Sequence, residues 1–331
     1  MSESEPSIRI VMPAWNAERT IARAIKSALD QAGVVVEVIV VDDCSTDRTQ
    51  AVVQALNDPR IHYQRAPRNG GPAAARNVGF DAARAPLVAV LDADDYMLPG
   101  RLASLRQIAV EQEADIVADN LIVLRDDLGT QELFFDVANA SDLEEITLER
   151  YLRENTVFHS KRTLGYLKPL FRLRFLRDKN IRYDETLRVS EDFALVAEAL
   201  AAGARFHYAS QALYVYTISR SGSASNRLNA GSVKTMMAAD DAFMRAHSPR
   251  LTAEELTAAR FRRRTLDQAY AFLIAIQALK ERQFWRAGRA LIGEPSSIGL
   301  FRMPIRAKLR GLTSTLSARG RRRALRERPE T

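Results

Sequence analysis

Two tight groups of carboxylates stand in the first third of the chain, Asp42-Asp43 and Asp92-Ala93-Asp94-Asp95. Carboxylates this close repel one another unless a cation, a basic side chain or a hydrogen-bond donor compensates. A divalent metal is a natural solution, because Mg2+ and Mn2+ prefer hard oxygen ligands and commonly take one or two carboxylates plus phosphate oxygens. Asp94, with Asp92 acting through water or a ribose, is therefore suited to hold a nucleotide diphosphate. Taken singly, each group has a plainer reading, since Asp also ends strands and caps helices; Asp47 is read as such a cap. Their matching placement after successive apolar runs favours one shared site.

The runs that carry these residues alternate with helical segments, the pattern of βαβ units and a largely parallel sheet. Strands are expected at Ile8–Met12, Glu37–Val41, Ile61–Arg65, Leu87–Leu91 and Asp115–Ala118. Helices are expected between them at Ala17–Gln31, Asp47–Leu56, Pro72–Ala83 and Pro99–Glu113, the last two opening on Pro. Ligands of open α/β sheets bind beyond the carboxyl ends of the strands. Those ends read Pro13-Ala14-Trp15-Asn16, Asp42-Asp43-Cys44-Ser45-Thr46-Asp47, Arg68-Asn69-Gly70-Gly71 and Asp92-Ala93-Asp94-Asp95. Beyond residue 120 the regularity weakens. Helices are expected at Leu143–Leu152, Phe171–Asn180 and Phe193–Ala202, short strands at Phe206–Tyr208 and Leu213–Tyr216, and a mainly helical stretch from Ser232 to Ile292.

Composition narrows the classes. With 331 residues, 47% apolar and 27% charged, the chain has the profile of a folded globular protein with one large domain and an appendage, or two domains. A single cysteine, Cys44, and scattered histidines give neither an internal disulfide nor a zinc spacing. No secretory signal and no run of about 18 apolar residues is visible, so a cytoplasmic or peripheral protein is expected. Met12–Ala17 lacks glycine, which disfavours a dinucleotide-binding oxidoreductase, and no P-loop motif is present. The net charge of +7 is local: residues 301–331 hold ten Arg/Lys against Glu327 and Glu330. Such a tail suits an anionic lipid surface or is a solvated end, while the nearly neutral body argues against nucleic-acid binding.

At the strand ends the chain resembles the family 2 glycosyltransferases. The matching residues are Val11-Met12-Pro13-Ala14-Trp15-Asn16, Val40-Val41-Asp42-Asp43-Cys44-Ser45-Thr46-Asp47, Asn69-Gly70-Gly71-Pro72-Ala73-Ala74-Ala75-Arg76-Asn77 and Leu91-Asp92-Ala93-Asp94-Asp95. The resemblance covers residues 8–225 and implies an α/β fold of GT-A type, a Rossmann-like nucleotide-sugar-binding sandwich, with a mainly helical C-terminal extension. It implies that Pro13 and Asp43 line the uracil pocket, that Trp15, Asn16 and Asp42 belong to the donor side, and that Arg76 lies near the nucleotide. Asp92 would approach the ribose or sugar, and Asp94 would bind Mg2+ or Mn2+. Arg76 has a plainer alternative as a surface helix residue paired with Asp81. The family's Glu-Asp pair falls on Glu191-Asp192, with Asp192 as the base of an inverting transfer; the plainer reading of Ser190–Asp192 is helix capping. Arg220, Ser221 and Ser223 form a basic Gly/Ser-rich loop suited to a diphosphate.

More narrowly, Ala118–Leu121, Thr163–Pro169 and Arg182–Asp192 resemble the glucosyltransferases of succinoglycan-type exopolysaccharides. That likeness implies UDP-glucose as donor and an acceptor saccharide on a polyprenyl diphosphate at the inner face of the cytoplasmic membrane. Phe284-Trp285-Arg286, Phe301-Arg302 and the basic tail would then suit a membrane surface. The expected organisation is a catalytic domain over 1–230, with its donor half near 8–120 and acceptor half near 121–230, a helical appendage over 231–300 and a basic tail over 301–331. The competing class is a non-enzymatic scaffold whose basic tail binds a membrane or nucleic acid.

Overall fold

The computed structural model describes residues 7–137, 139, 142–160, 162–218 and 228–302. The chain divides into two compact units, Met1–Arg263 and Arg264–Thr331. This division falls inside a long helix.

The first unit begins with β1 (Ile8–Ala14), α1 (Ile21–Leu29), β2 (Val36–Asp42), α2 (Thr49–Ala55), β3 (Ile61–Arg65), α3 (Pro72–Ala82) and β4 (Leu87–Val90). Strands β3, β2, β1 and β4 lie side by side in that order and run parallel. Every residue of β4 and most of β1 and β2 are buried. Helices on both faces of a parallel sheet explain why these strands read as continuous apolar runs rather than as alternation. Register makes their ends level: Ala14 pairs with Asp42 and Asp42 with Arg65, while the Leu91 N–H donates to the Val11 carbonyl. The polar residues that follow each strand are thereby delivered to one edge of the sheet.

The chain continues through β5 (Tyr96–Met97), α4 (Arg101–Glu111), β6 (Ile116–Arg125), β7 (Thr130–Leu133), β8 (Leu143–Glu145), α5 (Leu148–Glu154), β9 (Leu170–Arg172), α6 (Leu173–Asp178), α7 (Glu191–Ala201), β10 (Phe206–Ile218) and α8 (Ala230–His247). The sheet extends in the order β3-β2-β1-β4-β9-β6-β10-β5, with β7 on β6 and β8 on β10. Short β9 runs antiparallel between β4 and β6 and joins the two halves of the sheet.

Several elements differ from the sequence expectation for identifiable reasons. Pro99 does not open α4; Gly100 takes a left-handed φ of 82° and the helix starts at Arg101. The expected helix Leu143–Leu152 is β8 followed by α5, because the Thr147 side chain accepts the Arg150 N–H and starts the helix there. Residues Leu170–Arg172 are claimed by the sheet, so the expected helix from Phe171 begins at Leu173. The two short strands near 206 and 213 are one strand, β10, whose register shifts between Ala209 and Tyr214 absorb a bulge.

Helix α9 (Ala253–Lys280) begins in the first unit, where Arg262 and Arg263 pair with Asp240 and Asp241 of α8. The second unit holds the rest of α9, α10 (Phe284–Gly293) and a 3-10 turn over Pro295–Phe301. Within it, Phe272 meets Phe301 edge-on at 4.9 Å between ring centroids.

Candidate active site

The turn after β1 and the turn after β2 are built on each other. Asn16 and Cys44 both take left-handed backbone, φ 51° and 63°, a conformation that non-glycine residues adopt only where the surroundings hold it. Here the Asn16 N–H donates to Ser45 Oγ (2.9 Å) and Asn16 Oδ1 accepts the Thr46 N–H (2.8 Å). Asp47 accepts from the Thr49 and Glu18 N–H groups and ties the next turn to the same loop. Pro13 is half-buried and Trp15 is exposed beside them.

Both members of the Asp42-Asp43 pair are buried, but they have different partners. Asp42 is fully buried; its carboxylate accepts the Ser45 N–H at 2.7 Å and the Tyr63 hydroxyl, and faces Arg65 at 3.3 Å. Burial, then the Asp42 charge, pushes the Tyr63 phenol up to about 12. Asp42 is thereby engaged as a staple that holds the loop. Asp43 is held by the loop before α3 instead. Its two carboxylate oxygens accept the N–H groups of Gly70 and Gly71, each at 2.7 Å. Gly71 has φ 86°, and a Cβ on it would overlap the Arg188 guanidinium, so a small, left-handed residue is required where the acceptor-side loop crosses.

Helix α3 starts at Pro72 and carries Arg76 inward. Arg76 is 2% exposed and is not the surface partner of Asp81, which is taken by Arg182. Its guanidinium reaches Asp92 (2.7 Å), Glu191 (2.7 Å) and Asp192 (3.2 Å). A second cation, Lys168, lies 2.8 Å from Asp92 and 2.8 Å from Asp192. Asp92 and Asp192 are thus joined twice, once through each cation. Burial opposes the charge on Asp92, yet Lys168 and Arg76 outweigh it and hold its carboxyl well below the ordinary carboxylate range. Burial likewise opposes the Lys168 ammonium, and Asp192 and Asp92 reverse this and raise it well above its usual value.

Neighbouring Asp94 and Asp95 have separate environments. Asp95 is buried, accepts the Thr217 N–H (2.7 Å) and the Tyr214 hydroxyl (2.8 Å), and anchors the turn to β10. Burial and the charges of Asp94 and Asp92 push its carboxyl well above the ordinary value. Asp94 is exposed at the mouth of the cluster, and surrounding protein followed by Asp92 raises its carboxyl too. Among the described residues Asp94 makes no ion pair, and no three His, Cys, Asp or Glu side chains converge on a common metal position. A lone exposed carboxylate under like-charge pressure fits Mg2+ or Mn2+ in the mode that uses one protein oxygen and completes its shell with phosphate and water.

Glu191 and Asp192 open α7, and Ser190 before them has φ 71° with no side-chain cap, so capping does not account for this segment. Lys168 and Asn77 were not assigned a role from sequence, although both lie in quoted motifs. The Asn77 amide donates to the Tyr183 carbonyl (3.0 Å) and its oxygen accepts the Tyr183 N–H (3.0 Å), tying α3 to the loop before Glu191. The Lys168 carbonyl accepts from Arg101, whose guanidinium pairs with fully buried Asp119 at 2.7 Å. A cavity of about 110 Å3 lies on another face of α7, against α5, α8 and α9, and its lining includes neither Asp92 nor Asp192. There Arg262 lies over the ring of Phe193 at 3.5 Å and supports α7 from behind. Arg220, Ser221 and Ser223 lie outside the described residues, as does the chain beyond Arg302.

A parallel β3-β2-β1-β4 half, acidic strand ends on one edge and a mixed extension, in which antiparallel β9 precedes the parallel pair β6 and β10, define the GT-A class of nucleotide-sugar-binding α/β folds, with a second acidic pair at the start of α7. The chain belongs to the family described as Glycosyl transferase family 2, whose model matches residues 9–175. It is similar to the succinoglycan biosynthesis protein ExoO of Rhizobium meliloti (strain 1021), 40% identical over 309 residues, 93% of this chain and 88% of the relative. It is also similar to ExoU of the same strain, 32% identical over 90% of this chain and 86% of the relative. In fold it is similar to a crystal structure of S. aureus TarS 1-349 in complex with UDP-GlcNAc, with TM-score 0.60, 19% identity, and coverage of 86% of this chain and 90% of that one. The chain is accordingly a glycosyltransferase, and the non-enzymatic scaffold reading gives way to it.

Proposed function

We propose that this glycosyltransferase is an inverting hexosyltransferase that moves glucose from UDP-glucose onto a growing exopolysaccharide oligosaccharide carried on a polyprenyl diphosphate. The observation that carries the reading is the convergence of Asp92, Glu191 and Asp192 on Arg76 and Lys168, with Asp94 open beside them. The names of the two succinoglycan relatives and the UDP-sugar in the TarS structure support the pathway class and the donor class.

In this reading Asp43 accepts the uracil N–H with a lone pair left over from its two glycine amides, beside Pro13, Trp15 and Asn16. Asp92, fixed by two cations, receives a ribose or sugar hydroxyl. A divalent cation held by Asp94 and the donor diphosphate would neutralise charge on the departing group. Asp192 takes the proton of an acceptor hydroxyl as its oxygen bonds to the anomeric carbon. The anomeric carbon–oxygen bond breaks on the opposite face and UDP leaves with inversion. Glu191 holds Arg76 in place for this step. Arg220, Ser221 and Ser223 supply donors to the diphosphate, and the basic residues beyond 302 draw the protein to an anionic inner leaflet. No nucleic acid is involved.

Calorimetry of UDP binding with Mn2+, with Mg2+ and with EDTA tests the donor site, comparing wild type with a folded Asp94→Ala variant. Metal-dependent binding lost in the variant supports the assignment. Absence of UDP binding under every condition would falsify the uridine donor.

A further inference from the structure

Helix α10 presents an unusual surface for an amphipathic element of a water-soluble unit. Phe284, Trp285 and Ile292 are 70%, 83% and 78% exposed. At helical spacing they fall within an arc of roughly 100°, while Ala287, outside that arc and about 60° from Phe284, is buried. Ile298, just past the helix, is exposed as well. The helix contains no acidic residue, and Arg289 borders the apolar arc, making no ion pair among the described residues. Arg286 reaches Glu281 at 3.6 Å, which balances the acidic residue preceding the helix.

Large apolar side chains gathered on one exposed stripe mark an interaction surface rather than scattered surface hydrophobes. Charge decides among occupants. The stripe is edged by the Arg289 guanidinium, and residues 303–331 add nine Arg/Lys against two Glu. A second copy of this chain docking stripe to stripe would bring the same positive charge from both sides, because a two-fold contact pairs each patch with itself. An anionic bilayer offers acyl chains to the stripe and headgroup charge to its border. No helix among the described residues is long and apolar enough to cross a membrane, so the helix would lie in the interface.

We infer that α10 is a bilayer-docking helix, with Phe284, Trp285 and Ile292 entering the acyl boundary of an anionic membrane and Arg289 meeting its headgroups. The inference rests on the lipid-linked acceptor only for its purpose, since docking would hold the enzyme beside that substrate. Two signals then act together, apolar insertion by α10 and electrostatic attraction by the basic segment, as stable surface anchoring requires.

The test is co-sedimentation of the full chain with vesicles of phosphatidylcholine, with and without phosphatidylglycerol, for wild type and for F284E/W285E. Wild type should bind only the anionic vesicles. The double variant should bind about tenfold or more weakly although the segment beyond 302 is intact. Equal binding by the variant, or no binding by wild type, overturns the inference. So does a wild-type dimer that the variant converts to monomer without change in vesicle binding, which would make the stripe a contact between copies.

A measurement that needs no substitution in α10 uses the Trp15→Phe protein, in which Trp285 is the remaining tryptophan. Its emission should shift to the blue on anionic vesicles and be quenched by brominated phosphatidylglycerol; unchanged emission overturns insertion. UDP calorimetry on the wild-type protein, whose Trp15 is intact, separates the two readings. A protein that binds UDP but not vesicles refutes the docking helix alone, and one that docks without binding UDP refutes the donor assignment alone.

Discussion

Asp43 and Asp192 are both carboxylates of one acidic site, yet the chain reaches them in different ways. Asp43 follows β2 directly, and its partners are backbone amides of Gly70 and Gly71 on the turn that leads into α3. Asp192 opens α7 on the far half of the sheet, and its partners are Arg76 of α3 and Lys168 of the loop before β9. The Asp43 side is positioned by strand register and short turns. The Asp192 side is positioned by charge across long sequence separations, and burial makes each of those charges depend on the others.

If this contrast is right, removing Lys168 should do more damage than removing any single donor-side group. Lys168→Met leaves Asp92 and Asp192 facing each other with one cation fewer, and a cost of about 3–5 kcal/mol is expected for breaking a buried pair from one side. Thermal unfolding should report it, with Lys168→Arg recovering part of the loss. The pH dependence has a defined sign. The carboxyl of Asp92 is depressed, so its contribution is present above its unfolded value of about 3.9 and is lost as pH falls through the folded value. Lys168 is raised, so its contribution is complete below about 10.4. The Lys168→Met penalty should be flat between those limits and shrink in stronger acid.

Asp192→Asn keeps the shape but removes the base, and transfer should fall by about a hundredfold or more, equivalent to roughly 2.7 kcal/mol, with UDP affinity unchanged. Near-normal turnover would reject Asp192 as the base and shift the chemistry toward the donor side. Asn77→Ala tests the bridge between halves. It leaves the Tyr183 N–H without its partner and should lower stability in urea by about 1–3 kcal/mol. A neutral result would mean that the loop before Glu191 is held by other contacts.

The smallest effects should separate Asp42 from Asp43. Asp43→Asn is expected to weaken UDP by about tenfold, as loss of a charged acceptor does. Asp42→Asn should leave UDP affinity within about twofold and lower the melting temperature instead. Reversed outcomes would mean that Asp42, not Asp43, meets the nucleotide.

The same contrast explains what was legible in the sequence. Strands β1 to β4 and the motifs behind them could be read because each functional residue lies within a few positions of an apolar run that fixes its place. Segments 143–152 and 171–180 misled because short apolar runs fit helix and strand equally, and only pairing with β10 or with β4 and β6 decides. Lys168 gave no local sign of its partners. A lysine beside Pro169 reads as surface until the fold brings Asp92 and Asp192 against it. The partners of Asp42 and Asp43 were equally invisible, since adjacent acidic residues in a turn give no hint of which groups each will meet.

Gly79 sits one turn beyond Arg76 in α3, and a Cβ there would come within 2.3 Å of a Val11 methyl on β1. Even alanine at this position would lift the helix from the sheet and carry the guanidinium with it. Anyone redesigning this enzyme for a different sugar therefore has little freedom on the inner face of α3. Substitutions away from that face leave in place the helix whose Asn77 ties it to the loop before Glu191.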